Sequence, residues 1–268
     1  MKLRIILDGA RDPRVNMAID EAILRMRPRT GVDTLRVYTW LPTGVTIGRS
    51  QDPRKAVNIR EAERRGYPLV RRPTGGRALL HSSTGEVTYS IVLSSNTPLY
   101  KLDVATSAAK IAEGVAEAAR LLGLDARVGG YRGLGGEELC YLTEGASDVT
   151  VEDKKISGSA QVRTGEALLQ HGTLLLDFDP REWVAVINTS TPSEELASRI
   201  AGLRQLGLNP GLREVYEALV EGFKRVLGAD AYTGGLTLAE VEEVHKLYTS
   251  KYNTREWLLH GHISWKPV

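Results

Sequence analysis

Three short segments hold residues whose types could bind or transform a small molecule. The first is LVRRPTGGRALLH, Leu69 to His81, where a strand-like run delivers Arg71 and Arg72 to a Thr-Gly-Gly turn before a second apolar run begins. Adjacent glycines lack Cβ atoms and expose backbone N–H groups, so Gly75 and Gly76 would let the chain approach a phosphate or an extended acyl tail. Thr74, Arg77 and His81 complete the polar set around that turn. In a regular strand Arg71 and Arg72 point to opposite faces. A β-hairpin with a glycine turn and solvated arginines explains the same residues equally well.

The second segment is DKKISGSAQ, Asp153 to Gln161, in which two lysines enter a run of small residues including Gly158, Ser159 and Ala160. Small residues leave room for a substrate, and a lysine directed there could stabilise negative charge developing on a carbonyl oxygen or hold a phosphate. The bland reading is an exposed turn with two solvated lysines. The third is LLQHGTLLLDFD, Leu168 to Asp179, where Gln170, His171 and Gly172 interrupt a run otherwise typical of a buried strand. Polar groups in such a run need partners, so they mark either a satisfied core network or a pocket wall. His245, His260 and His262 lack the carboxylate or cysteine spacing of a metal site, and no metal is assigned. The single cysteine, Cys140, cannot form an intramolecular disulfide, and by itself reads as a small buried hydrophobe.

The elements that must position these groups follow from periodicity. Strands are predicted at Leu3 to Leu7, Leu35 to Trp40, Val45 to Gly48, Leu69 to Arg72, Glu86 to Leu93 and Ala167 to Phe178. Asp148 to Glu152 and Lys155 to Gln161 read as two strands joined by a turn. Apolar residues at steps of three and four predict a helix over Asp103 to Leu122, stopped by Gly123. Asn16 to Arg27, Asn58 to Arg65, Arg213 to Val226 and Leu238 to Tyr248 are further helices, and Asn188 to Ser193 and Ala229 to Gly235 are turn-forming stretches. The result is an α/β protein: one domain over residues 1–268, with 210–268 a helical C-terminal portion.

Composition narrows the function. The 268 residues carry 35 Lys plus Arg against 33 Asp plus Glu, a net charge of +2 that excludes a dedicated nucleic-acid binder and makes any basic function local. No apolar stretch is long enough to span a bilayer, and the N-terminus lacks a signal-peptide core, so no membrane role and a cytoplasmic location are expected.

Together, RRPTGGRALLH, KISGSAQ and QHGTLL appear in the order and separation of one family, the lipoate–protein ligases and octanoyltransferases, which share a catalytic fold with biotin–protein ligases. The resemblance extends through NMAIDEAIL, TIGRSQDPRKAVN and KYNTREW, and so covers nearly the whole chain. It implies a mixed-sheet catalytic domain with an acyl pocket. It also implies that Lys155 contacts the acyl carbonyl as the catalytic lysine, with Arg72, Thr74, Gly75, Gly76, Arg77, His81, Gly158, Ser159, Ala160, Gln170, His171 and Gly172 around the substrate. The acceptor it implies is a lysine of a lipoyl-domain carrier protein, a 2-oxoacid dehydrogenase E2 or a glycine cleavage H protein.

Two chemistries share that scaffold. TGGRALLH followed by EVTYS is similar to the cysteine-dependent octanoyltransferase branch, and Cys140 lies fifteen residues before Lys155, the spacing of that branch's nucleophile. This reading implies no cofactor and an acyl carrier protein as donor. TIGRSQDPRKAVN and HGTLLLDFD resemble the ATP-dependent lipoate–protein ligases, which implies ATP, Mg²⁺ and lipoate, with a separate small accessory subunit for a chain of this length. Arg77 stands where the ligases carry a third glycine. The transferase reading is preferred, and a non-catalytic binder of lipoyl domains is the reading from outside enzymology.

Overall fold

The computed structural model describes residues 1–129 and 145–261 of the chain. Cys140 and His262 lie outside the described residues. Eleven strands are described: β1 Lys2–Arg11, β2 Thr34–Trp40, β3 Gly44–Ile47, β4 Leu69–Arg71, β5 Leu79–His81, β6 Glu86–Ser94, β7 Arg127–Val128, β8 Val149–Val151, β9 Lys154–Arg163, β10 Ala167–Leu175 and β11 Asp230–Thr233. The described helices are α1 Pro13–Thr30, α2 Pro53–Ala56, α3 Ile59–Arg64, α4 Pro98–Lys101, α5 Val104–Leu121, α6 Pro180–Val186, α7 Ser193–Arg199, α8 Leu212–Leu227, α9 Leu238–Leu247 and α10 Arg255–His260.

Eight strands form one mixed sheet in the order β11-β1-β2-β6-β10-β9-β8-β7, and β4-β3-β5 form a second, smaller sheet. The mixed α/β architecture is the expected one. On one face of the large sheet, α5 and α8 bury Ile111, Val115, Leu219 and Phe223 against Tyr89, Ile91 and Leu93. Glycine permits that crossing, since a Cβ on Gly114 would stand 2.5 Å from the Phe223 ring. On the other face, α1 packs Met17, Ala18 and Ala22 against Tyr38, Trp40 and Val70.

Helix α1 outruns the predicted Asn16 to Arg27 at both ends. Asp12 caps it by accepting from the Arg14 N–H, Pro13 occupies its first turn, and Gly31 closes it at φ 69°. The β8–β9 hairpin follows its sequence signal, with Glu152 and Asp153 both at positive φ in the tight turn.

Two expectations are corrected. Strands β4 and β5, which flank the Gly-Gly turn, do not pair with each other, because each bonds to β3, parallel and antiparallel respectively. The simple hairpin reading of Leu69 to His81 therefore fails. The stretch Ala229 to Gly235 is not simply a turn, since β11 lies within it and pairs parallel with β1. Within 210–268 the described residues are mostly helical, in α8, α9 and α10, and β11 ties the portion into the large sheet.

Candidate active site

A narrow slot, with a cavity volume of about 30 Å³, opens between the two sheets and α1. Met17, Tyr38, Trp40 and Leu79 supply apolar lining, and Arg72, His81, His171, three threonines and the Gly158–Ala160 segment of β9 beside Gly172 line the rest. Strand register explains the assembly: β9 and β10 pair so that His171 faces Ala160, Gly172 faces Ser159 and Thr173 faces Gly158. Gly172 is required here, because a Cβ would fall 2.6 Å from the Gly158 carbonyl oxygen and 2.9 Å from the Tyr89 ring. Its absence lets β9 and β10 meet around the slot.

Lys155 lies behind that wall. Its side chain is buried and pairs with Asp148 at 2.8 Å. A Cβ on Gly158 would stand 3.1 Å from the Lys155 Cε and 3.5 Å from Nζ, so the ammonium lies against a residue of the slot's lining. Asp148 also accepts from the Gly145 N–H.

Two buried imidazoles flank the slot, each fixed by a carboxylate. His171 Nδ1 donates to Asp20 at 3.1 Å, which leaves Nε2 to accept from the Thr74 hydroxyl at 2.7 Å. Asp20 further accepts from Arg36, Ser90 and Tyr38. Burial pushes the Asp20 carboxyl up, but the His171 bond, the Arg36 charge and the Ser90 hydroxyl overcome it and hold the group below its ordinary value. Burial pulls the His171 imidazole down more strongly than Asp20 supports its proton, so the ring is held neutral. His81 stacks on Trp40 with centroids 3.9 Å apart and donates from Nδ1 to Glu86 at 2.7 Å. Its Nε2 meets the Thr46 hydroxyl at 3.0 Å, and Thr46 in turn accepts from Arg72.

Arg72 also holds the Gly-Gly turn closed, donating to the carbonyls of Gly75 and Arg77. Gly76 adopts φ 92° and lies beside Gly48, where a Cβ would sit 1.9 Å from the Gly76 carbonyl oxygen. Gly75 and Gly76 are exposed at the surface and Arg77 is half-buried there, so these three lie outside the slot's lining. Gln170 is also set back from the lining, donating to Ser159 and to the Ala108 carbonyl and accepting from Gln161. Arg71 turns the opposite way from Arg72, as a strand requires, and binds carbonyls of Gly48, Arg49, Gln51, Trp257 and Leu258.

Sequence reasoning singled out none of Asp148, Asp20, Glu86, Arg36, Trp40 or Met17 as site residues. Asp20 had one usable signal, a carboxylate inside the apolar run MAIDEAIL, which on a buried helix face demands a partner. Among the described residues no group of three His, Cys, Asp or Glu could hold a metal ion. No described helix is long and apolar enough to cross a membrane.

The lipoyl protein ligase A/B catalytic domain matches residues 12–224. A protein named octanoyltransferase LipM from Kyrpidia tusciae is 39% identical over 271 residues, spanning 95% of this chain and 97% of that one. Its namesake from Moorella thermoacetica is 34% identical over 95% of this chain and 97% of its own length. A crystal structure of lipoate-protein ligase A bound with ATP superposes with a TM-score of 0.85 at 28% identity, covering 98% of this chain and all 100% of that one. Ta0514, described as a putative lipoate protein ligase from T. acidophilum with bound lipoic acid, gives 0.82 at 28% identity over 97% of this chain and 100% of its own. By these matches, spread along nearly its whole length, the chain belongs to the lipoyl protein ligase A/B catalytic-domain family.

Proposed function

We propose that this protein transfers an octanoyl group to a specific lysine of lipoyl-carrier proteins, taking it from an acyl carrier protein through a thioester on Cys140. The observation that carries the reading is the apolar slot whose Gly158 wall lies against the buried Lys155 ammonium. An eight-carbon tail gains from burial in such a slot, and the carbonyl at its polar end gains from a compact cation. The relatives named octanoyltransferase favour the same acyl group.

In the first step the Cys140 thiolate attacks the donor thioester carbonyl, the donor carbon–sulfur bond breaks, and the donor leaves as a thiol after taking up a proton. In the second the acceptor's neutral amine attacks the Cys140 thioester, forming the amide and releasing Cys140, while the amine proton passes to the departing sulfur. In both steps Lys155 donates a hydrogen bond to the carbonyl oxygen as its negative charge grows, and Asp148 keeps the lysine in place.

The second reading, an ATP-dependent lipoate–protein ligase, is favoured by the resemblance to the ATP-bound structure and to a bi-partite lipoate protein ligase from Thermoplasma acidophilum. Lys155 and Arg72 are the cations near the slot that suit phosphate oxygens. The acids there suit Mg²⁺ less well, because Asp148, Asp20 and Glu86 are each engaged by a lysine, arginine or histidine. ATP would supply activation of a free carboxylate. The two readings separate on mass spectrometry of a lipoyl domain incubated with the protein and octanoyl-carrier protein. An octanoyl mass added without ATP is expected, and modification only with ATP, Mg²⁺ and free acid would overturn the transferase.

A further inference from the structure

Several arginines near the surface of this chain are neutralised where they stand. Arg64 and Arg65 pair with Glu61, Arg213 with Glu217, Arg225 with Glu221, and Arg204 with Asp177. Arg49, Arg54 and Lys55, like Arg29, Arg60 and Arg255, are exposed and make no ion pair or side-chain hydrogen bond among the described residues, and the first three stand together around one surface. They surround two adjoining depressions that share Ser50, Gln51 and Asp52, one reaching Arg71 and His260 and the other reaching Gly76 and Arg77. Asp52, the acid among them, uses a carboxylate oxygen to cap α2 through the Arg54 N–H.

The backbone presenting these cations is fixed. Arg71 binds the carbonyls of Gly48, Arg49 and Gln51, and the Arg49 N–H donates to the Thr74 carbonyl. The Gly75–Gly76–Arg77 turn that they adjoin is held on its other side by Arg72, which lines the acyl slot. One turn therefore has the slot's arginine on its inner side and a cluster of uncompensated cations on its outer side. In a chain of net charge +2 that cluster is a local feature. Uncompensated like charges repel one another, and an anionic partner relieves the repulsion while being steered toward the turn.

We propose that Arg49, Arg54 and Lys55 dock the acyl donor, an anionic carrier protein that presents its thioester on a phosphodiester-linked arm. This rests on the transferase reading above. The acyl tail must enter the slot while the carrier stays outside, so its anionic groups meet protein surface next to the slot, where the three cations stand.

The test compares two donors with one lipoyl-domain acceptor: octanoyl-carrier protein and octanoyl-pantetheine, which has neither protein nor phosphate. The triple variant Arg49→Glu, Arg54→Glu, Lys55→Glu is expected to raise KM for octanoyl-carrier protein by roughly tenfold or more. Its rate with octanoyl-pantetheine and its KM for the acceptor should stay within about twofold of wild type. Salt should weaken the wild type toward the carrier donor and leave the variant little affected. A milder triple glutamine variant should fall between the two. Unchanged KM for octanoyl-carrier protein overturns the proposal, as does an equal loss with both donors, or a rise confined to the acceptor. Failure of the wild type with both donors would instead sink the transferase reading.

Discussion

Lys155 and Asp148 meet at 2.8 Å with side chains only 1% and 4% exposed, directly behind the Gly158 wall of the slot. A buried ion pair is a poor source of net stability, and removing one partner strands the other. Asp148→Ala should therefore cost about 3–5 kcal/mol in folding stability, read by denaturant unfolding. Lys155→Ala leaves an uncompensated carboxylate that can take up a proton, and should remain folded while losing on the order of a hundred- to a thousandfold in transfer rate. Lys155→Arg should fail as well, since Gly158 leaves its Cε little spare room and a planar guanidinium is larger. Turnover of either Lys155 variant within a few-fold of wild type would refute the catalytic role.

Gly172 in the slot's lining and Gly76, which lies outside it against Arg72, should separate stability from binding. Gly172→Ala drives a methyl to 2.6 Å from the Gly158 carbonyl and should cost about 1–3 kcal/mol by forcing β9 from β10. Gly76→Val adds strain at φ 92° and a contact 2.6 Å from the Arg72 guanidinium. It should weaken acyl binding per folded molecule more than it lowers Tm. Calorimetric titration with octanoate alongside thermal unfolding distinguishes that outcome from a purely structural one, in which binding per folded molecule is unchanged.

The Asp20–His171 pair should make stability fall on acidification in two stages. His171 is depressed below its ordinary 6.5, so the unfolded chain takes up a proton that the folded chain refuses, and stability drains away as pH falls below about 6.5. Asp20 is depressed below 3.8, so its contribution is complete above that value and is lost as pH falls through the folded-state value. Between about pH 7.5 and about pH 5 the Tm of wild type should drop by several degrees. His171→Gln should start lower and decline less over that interval, and an equal decline would assign the acid sensitivity elsewhere.

Trp257 ties the C-terminal helix α10 to β4 through its Nε1, which donates to the Arg71 carbonyl at 2.8 Å beside the bonds from the Arg71 side chain to the carbonyls of Trp257 and Leu258. Trp257→Phe keeps an aromatic ring beneath the Lys251 ammonium, now 3.8 Å from the Trp257 ring, and removes only that donor. The expected loss is about 1–3 kcal/mol. Because Arg71 also grips the carbonyls of Gly48 and Arg49, the variant should raise KM for the acyl donor while leaving kcat close to wild type. A fall in kcat with KM unchanged would contradict this route.

What the sequence made legible and what it hid divide along physical lines. Helix α5 was readable because its apolar spacing and its Asp103 cap are local signals. The Gly-Gly turn was readable as a turn but not as a crossover, because β3, the strand that separates β4 from β5, lies more than twenty residues upstream. Strand β11 escaped because Asp230–Thr233 is short and mostly exposed, and is specified by its pairing with β1 at the opposite end of the chain. The same distance hid Asp20, whose partner His171 lies 151 residues away. Asp148 is only seven residues before Lys155, but a hairpin signal shows that two strands pair and not which of their side chains meet. Lys155 and His171 were found through the family motifs, and the acids that hold them were not.

Cys140, which lies outside the described residues, decides between the two chemistries. A thiolate and not a thiol attacks a thioester, so a nucleophilic Cys140 should be partly ionised near neutral pH and alkylate faster than a model thiol. Incubation with an octanoyl thioester should add one octanoyl mass to the protein, and hydroxylamine should remove it. Cys140→Ser should greatly reduce both that adduct and transfer, since a serine hydroxyl is far less ionised at the same pH. Lys155→Ala should slow both formation and discharge of the adduct, because the same carbonyl oxygen gathers charge in each step. The ligase reading forecasts a different pattern: Cys140→Ser nearly silent, ATP and Mg²⁺ required, and free octanoate or lipoate accepted as substrate. Full ATP-dependent ligation by the Cys140→Ser protein would therefore reject the thioester mechanism and leave the family assignment standing.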